Sequence, residues 1–341
     1  MRILVIGGSV FLGRAFVDDA VERGHEVTVF NRGKSGPDLS RTHSIHGDRE
    51  NPADLTALAE HGPWDAVIDT SGQHPRTVGL SARALSGHAD AYLFVSSFHA
   101  YADWPAGPVD EDSQRHPCAP DAAVDDVPAN ALKAGCERAV EAGFEGRTVI
   151  LNPGLIIGPR EAPGRLLWWL ERMARGGEVL VPGGPDRPVQ LIDARDIAAF
   201  GTRLLETGAE GRYLVAGPQN TETLGGLLDA CARVTGAGAQ LAWTDDDFLL
   251  EHEVGPWTEL PFWAPDQPAM AGVWSASTTR AVTVGLHCRP LADSVTDAWA
   301  WLRERGPADA PYRQGKVPLG IDADKEAAVL RARAQPKGRD E

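Results

Sequence analysis

The first two dozen residues place the tightest limit on the fold. "RILVIGG" (2–8) is a continuous apolar run closed by glycines, the pattern of a strand buried on both faces. "FLGRAFVDDAVERG" follows, with Phe11, Leu12, Ala15, Phe16 and Ala20 on one side of a helix. A buried strand, a glycine turn and an amphipathic helix, in that order, open a parallel α/β sheet. In the turn "GGSVFLG", Gly7, Gly8 and Gly13 let the backbone come close to a pyrophosphate, whose charge the amides of the helix N-terminus stabilise. Gly7, Gly8, Ser9, Phe11, Leu12 and Gly13 are the expected cradle.

The alternation then continues. "HEVTVFNRG", "DAVIDTSG", "AYLFVSS" and "RTVILNPG" read as strands, and 52–61, 76–87 and 127–142 as helices. The last of these carries Leu132, Cys136 and Val140 on one stripe. The expected fold class is α/β, a Rossmann-type doubly wound parallel sheet with a smaller C-terminal α/β substrate lobe. Residues 1–160 form the dinucleotide-binding domain, with returning elements at about 189–217 ("VQLIDARDIAAFGTRLLE" and "GRYLVAG"). Residues 161–188 and 218–305, rich in tryptophan and proline, form the substrate-binding lobe. Residues 306–341 are a tail with a short helix, "DADKEAAVLRARA", packed on the surface or frayed.

The second strand ends in Asn31 and Arg32 rather than in an acid. A carboxylate there binds the ribose hydroxyls of NAD, whereas an arginine accommodates the extra phosphate of NADP. Arg32, with Lys34 nearby, therefore favours NADP(H) over NAD(H). Asp48, after the third strand, is placed to accept from an adenine amine.

A formal net charge of −15 repels phosphate backbones and argues against nucleic acid as a partner. No apolar stretch approaches the ~18 residues of a membrane span, and the start lacks the pattern of a secretory signal. No membrane association and a cytoplasmic location are expected. The four cysteines, Cys118, Cys136, Cys231 and Cys288, are scattered and form no CxxC pair, so neither disulfides nor a metal site is expected.

"GGSVFLG", "FNRGK", "GDRENPADL", "DAVIDTSG", "FVSSFHAYAD", "NALKAGCE", "LNPGLIIGP", "QLIDARDIA" and "GLHCRPLADSVTDAWAW" together resemble the short-chain dehydrogenase/reductase superfamily, in its extended or atypical branch of NAD-dependent epimerase/dehydratase-like proteins. The resemblance covers nearly the whole chain. Val10 stands where the middle glycine of the usual motif would be. Relatives that bind chloroplast stem-loop RNA share this motif style, but the charge of this chain argues against RNA. The resemblance implies that Ser97 orients a substrate carbonyl and that Lys133 hydrogen-bonds the nicotinamide ribose and lowers the pKa of a tyrosine. A possible homodimer follows from relatives that pair through two helices.

The tyrosine itself is absent. Four residues before Lys133 stands Ala129, and none of the four tyrosines (Tyr92, Tyr101, Tyr213, Tyr312) lies between 102 and 212. His99 is the first candidate substitute, because histidine transfers protons near neutral pH. Strand alternation would turn Ser97 and His99 to the same side, provided that the strand stays regular that far. His74, Tyr101 and Asn152 are further candidates for contact with a small-molecule substrate, with Asp103 and Asn130 weaker ones. Trp168, Trp169, Trp257 and Trp263 suit an aromatic pocket and core packing equally.

Three functions remain open. The first is an NADP(H)-dependent reductase without the tyrosine acid, acting on an imine or an activated carbonyl or alkene. The second is a non-redox isomerase, cyclase or dehydratase using His99. The third is a catalytically silent cofactor-binding sensor.

Overall fold

The computed structural model describes residues 1–34, 37–305 and 319–335. The chain divides into two compact units. The first comprises Met1–Ile156, Ile192–Gly217 and Ser275–Cys288. Its frame is a seven-stranded sheet, and every strand pair in it is parallel. The strands are β1 (Arg2–Ile6), β2 (Glu26–Asn31), β3 (His43–His46), β4 (Ala66–Asp69), β5 (Ala91–Val95), β6 (Arg147–Pro153) and Gly211–Val215. From one edge to the other the order is Gly211–Val215, β6, β5, β4, β1, β2, β3. The direction of winding reverses between β1 and β4. At such a reversal the loops at the carboxyl ends diverge and leave a crevice.

The apolar run of β1 serves two cores because successive side chains point to opposite faces. Ile3 and Val5 pack with Phe16 and Ala20 of helix α1 (Phe11–Glu22) and with Ile197 and Leu204 of helix Ala194–Thr207. Leu4 and Ile6 pack on the other face with α2 (Pro52–Glu60), α3 (Pro75–Leu85) and α4 (Leu132–Gly143). Leu132, Cys136 and Val140 form the buried stripe of α4.

Helix α4 starts five residues later than the sequence suggests. Val127, which precedes Pro128, is extended, because a proline disfavours the helical region for the residue before it. Ala129–Ala131 then make a single 3-10 turn. The late segment Ser275–Cys288, read above with the substrate lobe, belongs to the first unit. The Ser277 amide donates to Val109 O, and Ala281 and Leu286 enter the core that includes α1.

The second unit comprises Ile157–Leu191, Pro218–Trp274 and Arg289–Glu341. Within it, strand Glu178–Pro182 pairs in parallel with Gln240–Thr244, and helices Arg165–Ala174, Leu224–Thr235 and Leu291–Arg305 pack on one another. Trp169 and Trp263 are fully buried, their indole N–H groups donating to Pro261 O and Asp246 Oδ1. These tryptophans are core. Glu161, also fully buried, accepts from the Arg165 and Leu166 amides, and burial pushes its carboxyl up to about 7.

The tail helix Ala323–Ala334 is anchored rather than frayed. Arg172 Nε donates to both oxygens of Glu326 at 2.8 and 2.7 Å, and the Leu180 amide also reaches Glu326. Both charged side chains are buried. Removing one partner of a buried pair leaves an uncompensated charge and costs about 3–5 kcal/mol. Glu326→Ala is therefore expected to lower stability by about that amount, measured by urea unfolding, whereas the exposed Arg331→Ala changes it little.

Candidate functional site

The turn after β1 sits so close to the exit of β4 that side chains are excluded. A Cβ on Gly7 (φ +92°) would lie 2.6 Å from Ser71 Cβ, and one on Gly13 would lie 2.7 Å from both Gly7 O and Thr70 Oγ1. At Gly8 the obstacle is Val17, at 2.7 Å. Phe11 opens α1 with φ +41°. Val10, at the helix cap, has no capping side chain, and the first turn contains no acid. The first-turn amides of Phe11, Leu12 and Gly13 thus have no capping side chain from the helix and no neighbouring acid of its first turn.

Asn31 braces this turn. Its Nδ2 donates to Ser9 Oγ at 2.9 Å and its Oδ1 accepts from the Gly33 amide at 2.6 Å. Arg32 and Lys34 stand exposed just beyond, with no ion pair among the described residues. The acid of that loop, Asp38, is engaged with His46 at 2.9 Å, a contact that lowers its pKa. Asp48 is a turn residue: its Oδ1 accepts from the Glu50 amide, and its own amide donates to Asp54.

Beneath the turn lies a buried ion pair. Arg49 grips Asp69, at the end of β4, with two hydrogen bonds of 2.8 and 2.6 Å. Tyr92 donates to the same carboxylate at 2.8 Å, and Ser71 and Ser81 accept from Arg49. Burial alone would raise the Asp69 pKa, but the Arg49 charge, these hydrogen bonds and the Ser71 amide outweigh it and hold the carboxyl below its ordinary range.

Lys133, the second residue of α4, points to the sheet. Its Nζ donates to Gly72 O at 2.7 Å and to Val95 O at 3.2 Å, the carbonyls at the exits of β4 and β5. The structure thus brings Lys133 to the carboxyl edge where the glycine turn also lies. Ser97 is two residues past β5. It caps the 3-10 turn Phe98–Ala100 and accepts from the His99 amide at 3.2 Å.

That turn corrects the alternation argument for His99. Regular strand stops at Val95, and His99 is exposed with its ring edge-on to Trp104 at 4.7 Å. Tyr101 does not line a surface. It is fully buried with Phe98, Val109, Ala134 and Leu214, because an antiparallel bridge to Arg115 turns it inward. Burial raises its pKa. Asn152 is likewise fully buried, donating to Glu137 Oε1 at 2.5 Å and to Ser97 O at 3.2 Å. It supports the Ser97 turn from behind. His74, at the cap of α3, is exposed.

Ala129 is exposed in the turn before α4. No described tyrosine compensates for it: Tyr92 and Tyr101 are core, and Tyr213 donates to Glu210 O. Tyr312 lies outside the described residues. The sequence reading missed Glu137, Arg49 and Asp69. Glu137 follows Lys133 by one helical turn and accepts from Ser96 Oγ, Asn152 and Arg115. An acid inside an apolar stripe, or ending an apolar strand, was the available signal.

A model of the family described as NAD dependent epimerase/dehydratase matches residues 3–217. The chain belongs to that family. It is 30% identical over 220 residues to 2-alkyl-3-oxoalkanoate reductase of Stenotrophomonas maltophilia, covering 59% of this chain and 64% of that protein. It is 26% identical over 251 residues to the chloroplast stem-loop binding protein of 41 kDa b of Arabidopsis thaliana, covering 69% and 63%. The chain therefore spans a little under two thirds of the length of each curated relative. Among solved structures, the Bordetella bronchiseptica enzyme WbmH in complex with NAD+ superposes with a TM-score of 0.67 at 17% identity, covering 89% and 99% of the two chains. UDP-glucose 4-epimerase of Thermotoga maritima, with UDP-glucose, gives 0.65 at 17% identity and the same coverage. These likenesses establish the fold. Among the described residues no helix is long and apolar enough to cross a membrane, and no cluster of three or more His, Cys, Asp or Glu is placed to hold a metal ion.

The Asp69–Arg49 pair sets an expectation for pH. A carboxyl whose folded pKa is depressed stabilises the fold above its unfolded value, about 3.9, and that contribution fades as pH falls through the folded value. Asp69→Asn is expected to cost about 3–5 kcal/mol at neutral pH, since Arg49 loses its partner. Its stability should also fall less steeply than that of the wild type below about pH 4. Urea midpoints of the two proteins between pH 7 and pH 2 measure both effects.

Proposed function

We propose that the protein is an NADP(H)-binding atypical short-chain dehydrogenase/reductase acting on a small metabolite, a reductase of an imine or of an activated carbonyl or alkene. The observation that carries this reading is the cradle: an uncapped helix N-terminus, glycine positions too tight for a Cβ, and Arg32 and Lys34 exposed beside them. Family membership and the reductase relative support it. A dinucleotide pyrophosphate fits the amides of Phe11, Leu12 and Gly13. Arg32, with Lys34, would hold a 2′-phosphate, since β2 ends in Asn31 and the loop acid Asp38 is already paired with His46. A bound reduced nicotinamide supplies a hydride. Lys133 and Ser97 then position and polarise the acceptor. The likeness to an RNA-associated chloroplast protein does not carry RNA binding over, because a net charge of −15 opposes it.

Ala129 bears on the substrate class. A simple ketone needs a proton as its oxygen develops charge, whereas an iminium already carries its proton and leaves a neutral amine. Substrates that demand little acid therefore suit this site.

Fluorescence titration with NADPH and NADH tests the reading. NADPH should bind more tightly, and Arg32→Ala should weaken NADPH roughly tenfold or more, the value of a charge-assisted hydrogen bond, with NADH affinity nearly unchanged. Failure to bind either nucleotide would overturn the proposal. Consumption of NADPH with cyclic imines and 2-alkyl-3-oxoalkanoates, compared with simple ketones, then sorts the substrate classes.

A further inference from the structure

Lys133 donates to two backbone carbonyls, Gly72 O and Val95 O, at the exits of neighbouring strands. An ammonium has three N–H groups and a neutral amine has two. Both carbonyls therefore keep their donors when the third proton leaves, and either protonation state satisfies the backbone. No carboxylate is paired with Lys133 among the described residues. Glu137, one turn along α4, is committed to Ser96, Asn152, Arg115 and Arg212. Asp69, at the end of β4, is committed to Arg49 and Tyr92.

Ala129 has no proton to give, Tyr101 is sealed in an apolar cluster, and His99 lies exposed in the 3-10 turn beyond β5 with its ring edge-on to Trp104. We propose that the Lys133 ammonium is the proton donor of this site, in place of the tyrosine that Ala129 lacks. The inference rests on the reductase reading above and deepens it, because it names the acid that an activated carbonyl substrate would need.

The step balances. A bound reduced nicotinamide would supply hydride to the carbonyl carbon, and the C=O π electrons would move to oxygen. The oxygen takes a proton from Nζ, so an N–H bond breaks and an O–H bond forms, and water reprotonates the amine after product leaves. A ribose hydroxyl near Nζ would be far too weak a base to take the proton, which would stay available to the developing alkoxide. Burial favours the neutral amine and lowers the lysine pKa. Cys136, Asp69 and Glu137 oppose that shift, Arg49 adds to it, and the Phe94 ring lies 5.2 Å from Nζ.

The chain has five lysines, Lys34, Lys133, Lys316, Lys325 and Lys337, so lysine labelled with 13C at Cε gives a sparse NMR spectrum. In the cofactor-free protein one signal should titrate below the other four and be absent from Lys133→Arg. All five titrating together would overturn the proposal. Turnover of a 2-alkyl-3-oxoalkanoate with NADPH should fall about tenfold per pH unit above the Lys133 midpoint, since the donor must be protonated.

Lys133→Arg keeps the charge but cannot release its proton. It should lower kcat on the ketone about a hundredfold more than kcat on N-methyl-3,4-dihydroisoquinolinium, which needs no acid and so shares only the loss that comes from positioning. Equal losses on both substrates would mean that Lys133 only holds the cofactor, and the proposal would fail. Because the NMR titration uses no nucleotide, its failure is separate from failure of NADPH to bind.

Discussion

A single buried carboxylate, Glu137, ties together the elements that meet at the candidate site. It accepts from Ser96 at the exit of β5 and from Asn152 of β6, and it pairs with Arg115 of the preceding loop and Arg212 of the last sheet strand. Five segments distant in sequence meet at two oxygen atoms. Burying a carboxylate is expensive unless charges and donors surround it, and here two guanidinium groups and two neutral donors do so. Asn152 passes the constraint to Ser97 through its carbonyl, and Lys133, one helical turn before Glu137, binds the exits of β4 and β5. Helix α4 is thus fixed to the sheet edge by two charged side chains on the same face.

Across the winding reversal the glycine-turn side obeys a different rule, that of close approach. Gly7 and Gly13 press the turn after β1 against Thr70 and Ser71, while Asp69 and Arg49 secure the exit of β4 beneath them. The cradle and the Lys133 region share one support, since Gly72 O, only three residues past Asp69, accepts from Lys133. Preorganisation of this sort holds reacting groups in place before a ligand arrives.

Much of this was legible in the residues. Continuous apolar runs and stripes of helical period place β1, α1 and the strands that follow, because burial on both faces leaves little choice of pattern. The glycine turn, Asn31, Arg32 and Lys133 were identified from spacing and from a family resemblance that the match to residues 3–217 bears out. A helix drawn from Val127 begins before the stripe Leu132, Cys136 and Val140 and overlooks Pro128, which held the local signal for a later start. His99 was assigned a direction by extrapolating a strand that ends at Val95.

The sequence by itself determined the order of elements, the parallel sheet and the absence of a tyrosine at Ala129, since these depend on local pattern and on residue identity. Only the tertiary structure decided what surrounds each polar side chain. Asn152 and Tyr101 looked like pocket residues and are core, whereas Glu137, Arg49 and Asp69 looked ordinary and organise the site. Hydrogen bonds such as Lys133 to Val95, or Arg49 to Asp69, join residues 20 or more positions apart. No local pattern specifies such partners; they are set by which strand exits the fold brings side by side.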